Sequence, residues 1–350
     1  MLAAVQESAS VNVSLASADD AEEWDAYVST HPGSSFCHLW GWGQLIQEVF
    51  GHRPMYLLAR EEAGSVDGVL PLVCMRSLLG RHLVSVPYVN YGGPLGSRAA
   101  CEALTRSARD LAARSGARKL ELRSRAPQET ELGPSRQKVT VVLPLPSTVE
   151  ELWQRTFRAK LRSQIRRAQK EEMEVRFGRD QVDAFYRVFS RNMRDLGTPV
   201  LPRPFFSGLP RYFGGQVVFA AVYADGSPVA AACGFTWRDE FEITWASSLR
   251  EHNAKAPNML LYASLMEEMI RRGVRAFNFG RCTPGSGTHR FKLQWGGTEE
   301  PLHWSTWPGE AATAGDEGRI FRLASQLWQR MPLPLAELLG PAIARRLPQF

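Results

Sequence analysis

The chain has 350 residues, 44% of them hydrophobic and 22% charged. That excludes a disordered protein and exceeds what one core usually serves, so two domains of roughly 150–200 residues are expected. The net charge of +6 and a pI of about 9.2 suit an anionic partner without choosing among phosphates, a nucleotide carrier, RNA or an acidic membrane surface. Five scattered cysteines, Cys37, Cys74, Cys101, Cys233 and Cys282, contain no CxxC pair. They form neither a disulfide framework nor a zinc pattern, so no metal is expected, and they fit a reducing compartment. The ten tryptophans read first as core.

In chain order, residues 1–18 read as a loose lead without the basic start and apolar stretch of a secretory signal. No run of 18 apolar residues is present to span a membrane, so a cytoplasmic protein is expected. A helical pattern starts at Glu22–Tyr27, and a second helix follows over Leu39–Phe50. Strand-like runs cover Pro54–Arg60, Val66–Val73 and His82–Pro87. A glycine-rich turn over Tyr88–Ser97 leads into a helix at Ala99–Ser115, which stops at Gly116. Strands are expected at Lys119–Ser124 and Lys138–Leu143. The order then recurs, with helices at Trp153–Glu172 and Val182–Leu196 and strands at Gln216–Tyr223, Pro228–Trp237 and Phe241–Ser248. A loop over 250–257 precedes a helix from Pro257 to Arg272 and a strand at Val274–Phe279.

This recurrence of element order predicts two domains of one mixed α/β fold. The first covers 19–147 and the second 148–308. Residues 309–318 read as a linker. The tail to Phe350 mixes Ile320, Phe321, Leu323, Leu327 and Trp328 with Arg319, Arg322, Arg330, Arg345 and Arg346. It is either an amphipathic helix pair for an anionic membrane, which would place the protein peripherally at the inner face, or a segment packed back onto the domains.

Four segments could carry chemistry. Between Trp153 and Lys170 there are seven basic residues and no acidic one. Arg158, Arg162, Arg166 and Lys170 recur every four residues as a cationic stripe beside an apolar one of Phe157, Leu161, Ile165 and Ala168. An anionic ligand or an RNA backbone would relieve that repulsion, and a solvated face is the plain alternative. The turn YVNYGGPLGS at 88–97 lets backbone approach a ligand ahead of a helix N-terminus. The strand–loop–helix over 241–272 places Arg250, His252 and Lys255 in the loop and the amides near Asn258 and Met259 at the helix start. The stretch NFGRCTPGSGTHRFKLQWGG at 278–297 puts a glycine-rich loop at a strand end, bounded by Arg281, His289, Arg290 and Lys292. Such a loop can cup an anionic or carbonyl oxygen.

These last two segments, with FRAKLRSQIRRAQK, resemble the FemAB-like acyltransferases, and most closely the branch associated with exosortase/PEP-CTERM systems, which carries a BioF-like acetyltransferase domain. The resemblance covers roughly residues 20–308. It implies two tandem acetyltransferase (GNAT)-fold domains and transfer of an acyl or aminoacyl group to an amine on a cell-envelope or exopolysaccharide precursor. Acetyltransferase folds hold the acyl carrier on the loop and helix after the fourth strand. The resemblance therefore implies donor contacts from Arg281, Arg250, His252, Asn258, Met259 and Phe291. In better-known members a lysine after a phenylalanine serves the transfer, which here is Lys292 after Phe291. Tyr91, Gly92 and Gly93 match a region that contacts the acceptor, and the stripe Arg158, Arg162 and Arg166 is placed with it. The co-substrate would be acyl-CoA, acyl-carrier protein or aminoacyl-tRNA, with no tightly bound cofactor. The acceptor would be an amine-bearing sugar or peptide precursor. The glycine-rich carrier loop usual in acetyltransferases and the coiled-coil arm of some relatives are both missing.

For the reaction, Lys292 and Arg290 are expected to stabilise the oxyanion or the carrier phosphates, and Glu242, sharing a strand face with Thr244, is the candidate base. His252 and His289 are alternatives for that proton. Cys282 lacks the histidine–acid pairing of a thiol nucleophile, so direct transfer is expected. The rival readings are an aminoacyl-tRNA-dependent peptidyltransferase and a non-catalytic protein that binds RNA or a membrane surface.

Overall fold

The computed structural model describes residues 11–77, 80–135, 137–308 and 316–347. The chain divides into two compact units. The first comprises Met1–Arg136, Leu302–Ala311 and Arg346–Phe350, and the second Gln137–Pro301 and Ala312–Arg345. The strand at 138–144, placed with the first domain from sequence, thus lies in the second unit, and residues 302–308 return to the first.

The first unit contains β1 (Asn12–Leu15), α1 (Ala21–Thr30), α2 (Gly41–Phe50), β2 (Arg53–Pro54), β3 (Leu57–Arg60), β4 (Val66–Leu70) and β5 (Leu72–Ser77). It continues with β6 (Gly80–Ser85), β7 (Leu95–Gly96), α3 (Arg98–Arg114), β8 (Ala117–Ser124) and β9 (Gly133–Pro134). One sheet runs β1-β3-β4-β7. In another, β2 pairs with β5, β5 with β6, and β6 runs parallel to β8. The run Val66–Val73 is therefore two strands in different sheets. Pro71 has no N–H for a ladder and marks the change. Part of the expected loose lead is β1, paired antiparallel with β3; residues 1–10 lie outside the described residues. Ser97 caps α3 by accepting from Ala100 N, and Ala100, Leu104, Ala108 and Leu111 on its inner face pack with Leu57, Leu72, Leu83 and Leu120.

The second unit contains β10 (Lys138–Pro144), α4 (Val149–Glu151), α5 (Ala159–Gln169), β11 (Met173–Phe177), α6 (Val182–Asp195) and α7 (Arg203–Phe213). After these come β12 (Val217–Ala224), β13 (Ser227–Trp237), β14 (Glu240–Ser248), α8 (Pro257–Arg271), β15 (Ala276–Asn278) and α9 (Gly287–Leu293). β16 (Thr298–Trp307) leads back to the first unit, where it pairs with β8, and the chain ends in α10 (Asp316–Gln329) and α11 (Leu333–Ala344). The sheet order β11-β12-β13-β14-β15-β10 is antiparallel except between β14 and β15. α8, with Pro257 at its first position and ten buried residues, fills the core against Val218, Ala232, Phe241 and Phe277.

The sequence reading differs from the structure in four places here. The helix expected over Trp153–Glu172 is broken. A π-turn over Leu152–Thr156 ends at Phe157 (φ −75°, ψ 120°), and α5 starts afresh after an extended Arg158. Phe157 turns its ring between Trp153 and Trp295, and Arg162 Nη1 donates to Trp153 O (3.3 Å) and Phe157 O (2.7 Å), which satisfies carbonyls near the break. α7 was hidden by Pro204, Gly208 and Pro210, and β11 by its alternation of charged and half-buried residues. Residues 287–293, expected as loop, form α9, capped by Ser286 Oγ accepting from His289 N (3.1 Å).

The tail is helical and packs on the second unit. Ser190 Oγ of α6 donates to Glu337 Oε1 (2.6 Å), and Arg194 donates to Met331 O (2.9 Å). Residues 309–315 of the expected linker lie outside the described residues. Among the described residues no helix is long and apolar enough to cross a membrane.

Candidate functional site

The site lies in the second unit, where β14 and β15 part. Their parallel pairing covers Glu240↔Ala276, Phe241↔Phe277 and Glu242↔Asn278. Beyond that rung β14 continues beside β13 to Ser248, whereas the chain after Asn278 follows β10. Phe279 N donates to Val141 O (2.9 Å), and Cys282 and Val139 exchange both backbone hydrogen bonds. The same point carries a β-bulge. Cys233 faces Trp245 and Gly234 faces Ile243, which leaves Thr244 as the extra residue on β14. Gly234 allows the close approach, since a β-carbon there would come within 2.4 Å of Glu242 O.

Lys292, Glu242 and Asn278 are the polar side chains at this point. Lys292, only 4% exposed, extends from α9 and donates from Nζ to Gly280 O (2.6 Å) and Arg281 O (2.8 Å). These carbonyls engage two of its three N–H bonds. Burial pulls the ammonium down from 10.5 to about 8, opposed first by Cys282 and then by the charge of Glu242, which therefore lies within electrostatic reach. Glu242, 2% exposed, accepts from Thr244 Oγ1 (3.3 Å), so the two do share a face. Asn278 links the strands. Its Oδ1 accepts from Thr140 Oγ1 (2.5 Å) and Gly280 N (2.8 Å), while its Nδ2 donates to Glu240 (2.9 Å). Asn278, Gly280 and Lys292 thus form one hydrogen-bonded group at the strand ends, with Glu242 opposite Asn278 in the ladder.

The remaining sequence candidates are distributed around it. Arg281 contributes its carbonyl to Lys292, and its charge also acts on that ammonium. Arg290 is not paired with Lys292. α9 turns it outward, where Nη1 donates to Gly285 O (2.7 Å) and holds the loop. Phe291 packs edge-on against Tyr262 (5.1 Å) and is part of the core, as is buried Met259. Asn258 donates to Ser248 Oγ (2.9 Å), tying the start of α8 to the end of β14, and its buried Oδ1 has no hydrogen-bond partner. Ala256, in the left-handed region, starts α8 without a side-chain cap. Exposed Arg250 donates to Asp195 O (3.1 Å), and His252 is half-buried in a 3-10 turn over Arg250–Lys255. His289 accepts from Gly285 N at Nδ1 (3.0 Å) and presents Nε2 to Glu299 (2.5 Å), though not along a hydrogen-bonding direction. Burial raises the Cys282 thiol, which disfavours a thiolate.

Arg158 and Arg166 are exposed, whereas Arg162 is the clamp on the helix break. Tyr91, Gly92 and Gly93 lie buried in the first unit. A β-carbon on Gly93 would strike Ser124 Oγ at 2.1 Å. Their loop is strained, with positive φ at Val86 (46°) and Tyr88 (74°), and is held by buried Arg123 donating to Val89 O (2.8 Å) and His38 Nε2 bonding Gly93 O (3.1 Å).

With this geometry in place, comparisons define the fold. Residues 155–293 match the family described as acetyltransferase (GNAT) domain, a span that includes Glu242, Thr244, Asn278, Gly280 and Lys292 but not β10. No curated protein matches the chain significantly. The chain has the mixed α/β acetyltransferase fold, and its structural neighbours include tandem proteins of that type. It is similar to FemX, with a TM-score of 0.63 and 15% identity over 90% of this chain and 100% of that one. L-PGS from Bacillus licheniformis aligns at 0.54 and 13%, over 89% and 97% of the two chains. The tandem GNAT protein from the clavulanic acid biosynthesis pathway aligns at 0.53 and 12%, over 88% and 100%.

Proposed function

We propose that the protein is an N-acyltransferase that moves an acyl or aminoacyl group from an activated carrier to an amine on a cell-envelope or exopolysaccharide precursor. The observation that carries this reading is the buried Lys292 ammonium beside Glu242 at the parting of β14 and β15, within the segment that matches an acetyltransferase domain. The acceptor amine attacks the carrier's ester or thioester carbonyl, and its proton passes to Glu242. The oxyanion forms against the remaining N–H of Lys292, in a buried site where a fixed positive charge acts strongly. Collapse of the tetrahedral adduct expels the carrier oxygen or sulfur, which takes up a proton. The unpaired edge of β14 offers backbone groups to an extended donor, and the uncapped start of α8 offers N–H groups to its phosphates. Acyl-CoA, acyl-carrier protein and aminoacyl-tRNA remain the candidate donors.

Thermal-shift screening of wild type and Lys292→Ala against acyl-CoAs, acyl-carrier protein, aminoacyl-tRNA and UDP-amino-sugars tests the reading. A donor that stabilises the wild type names the carrier, and transfer from that donor lost in folded Lys292→Ala supports the reading. Salt-sensitive RNA binding unaffected by the substitution, with no shift from any carrier, would favour the polyanion binder instead.

A further inference from the structure

Helix α11 is packed with its small residues inward and its large ones outward. Its buried positions are Ala336, Gly340 and Ala344, at i, i+4 and i+8. Its exposed positions are Pro334, Leu335, Leu338, Leu339, Ala342 and Ile343, all apolar. Leu338 is 72% exposed. An ordinary surface helix turns its leucines to the core and its small or polar residues to water. Rotation of α11 is blocked. Glu337, its single charged residue, accepts from Ser190 Oγ, and at Gly340 a β-carbon would meet Val200 within 3.0 Å. α10 adds Leu323 and Leu327 at i and i+4, the latter 69% exposed, while its Trp328 is buried.

Basic residues bracket the stripe. Exposed Arg330 precedes α11, and exposed Arg345 and Arg346 follow it, with no exposed acid from 330 to 346. A helix of 12 residues is too short to cross a bilayer. We propose that α11 is the membrane-docking face of this protein. It lies in the plane of an anionic phospholipid surface, with Leu335, Leu338, Leu339 and Ile343 in the headgroup–acyl boundary and the arginines on lipid phosphates. The charges favour lipid over a second copy. An antiparallel pairing of two α11 stripes would set each Arg330 beside the other copy's Arg345 and Arg346, whereas an anionic bilayer answers all three.

The test is co-sedimentation of the full-length protein with phosphatidylglycerol-containing and pure phosphatidylcholine vesicles, at low and high salt. Leu338→Glu/Leu339→Glu is the apolar variant and Arg345→Glu/Arg346→Glu the charge variant. Because all four side chains are exposed, both variants should melt within a few degrees of the wild type. The expected result is binding to phosphatidylglycerol vesicles that weakens at least tenfold in either variant and in high salt, with little binding to phosphatidylcholine. Absence of vesicle binding, binding that both variants retain, or a concentration-dependent dimer abolished by Leu338→Glu/Leu339→Glu would each overturn the proposal.

Discussion

At the residue scale, a lysine is held in a place that disfavours its charge. Lys292 is drawn from 10.5 to about 8 by burial, so the folded state binds its proton less tightly than the unfolded one. Below pH 8 both states carry the proton and the folded protein bears the full penalty, about 3 kcal/mol. Between about 8 and 10.5 the folded lysine is neutral while the unfolded one stays charged, so this contribution to stability rises with pH. Relative to Lys292→Met, the wild type should therefore gain about 2 kcal/mol between pH 7 and 9.5, read from denaturant midpoints at each pH. Catalysis should move the opposite way. If the cation serves the oxyanion, kcat/KM falls as pH rises through about 8, and that limb disappears in Lys292→Arg, whose charge persists. Lys292→Met should lose about 10²–10³-fold in kcat. Glu242→Gln should lose about 10²-fold or more in kcat. Lys292 was singled out through the resemblance, as the lysine that follows a phenylalanine after a glycine-rich loop. Arg290 lies apart from Lys292 because a short helix sends residues two apart to different sides. Asn278 was missed, although one polar residue within AFNFG is the kind of break a strand-end site leaves.

At the element scale, the informative features are interruptions. The β14 bulge and the parting of β14 from β15 set the direction of Glu242, and neither follows from hydrophobic alternation, which fixes faces but not ladder partners. Gly234→Ala should cost about 1–3 kcal/mol, because its β-carbon meets Glu242 O and the Phe241 ring, and activity should fall further than the stability loss explains. The basic segment makes the same point. Its charge spacing was legible and so was its apolar stripe of Leu161, Ile165 and Ala168, yet the break at Phe157 was not, since it depends on where a distant Trp295 accepts the ring. Arg162→Ala should lose about 1–3 kcal/mol of stability through unsatisfied carbonyls, and Arg166→Ala less than about 0.5 kcal/mol. Chemical denaturation of both variants separates the structural arginine from the solvated one.

At the scale of the whole molecule, the repeat of element order was enough to anticipate a mixed α/β fold, because that order is carried by strand and helix periodicities across some 300 residues, whereas the acetyltransferase fold came from the resemblance carried by the segments at 153–170 and 241–297. The route of the chain between the units was not, since β16 is read as TEEPLHWSTW, whose Pro301 and polar positions conceal a long strand. The basic balance of +6 suits an anionic carrier, and it suits a bilayer as well. Activity separates these uses, since α11 and the Lys292 site involve different residues. The most direct measurement is acyl transfer by the purified full-length protein, with labelled acyl-CoA, acyl-carrier protein and aminoacyl-tRNA offered to an amino-sugar and peptide acceptor panel, alongside Lys292→Met and Glu242→Gln. The wild type should move label to an amine with one donor, and folded Lys292→Met at least 10²-fold less. Transfer undiminished in that variant, or none by the wild type with a donor that binds at the site, would contradict the proposed function.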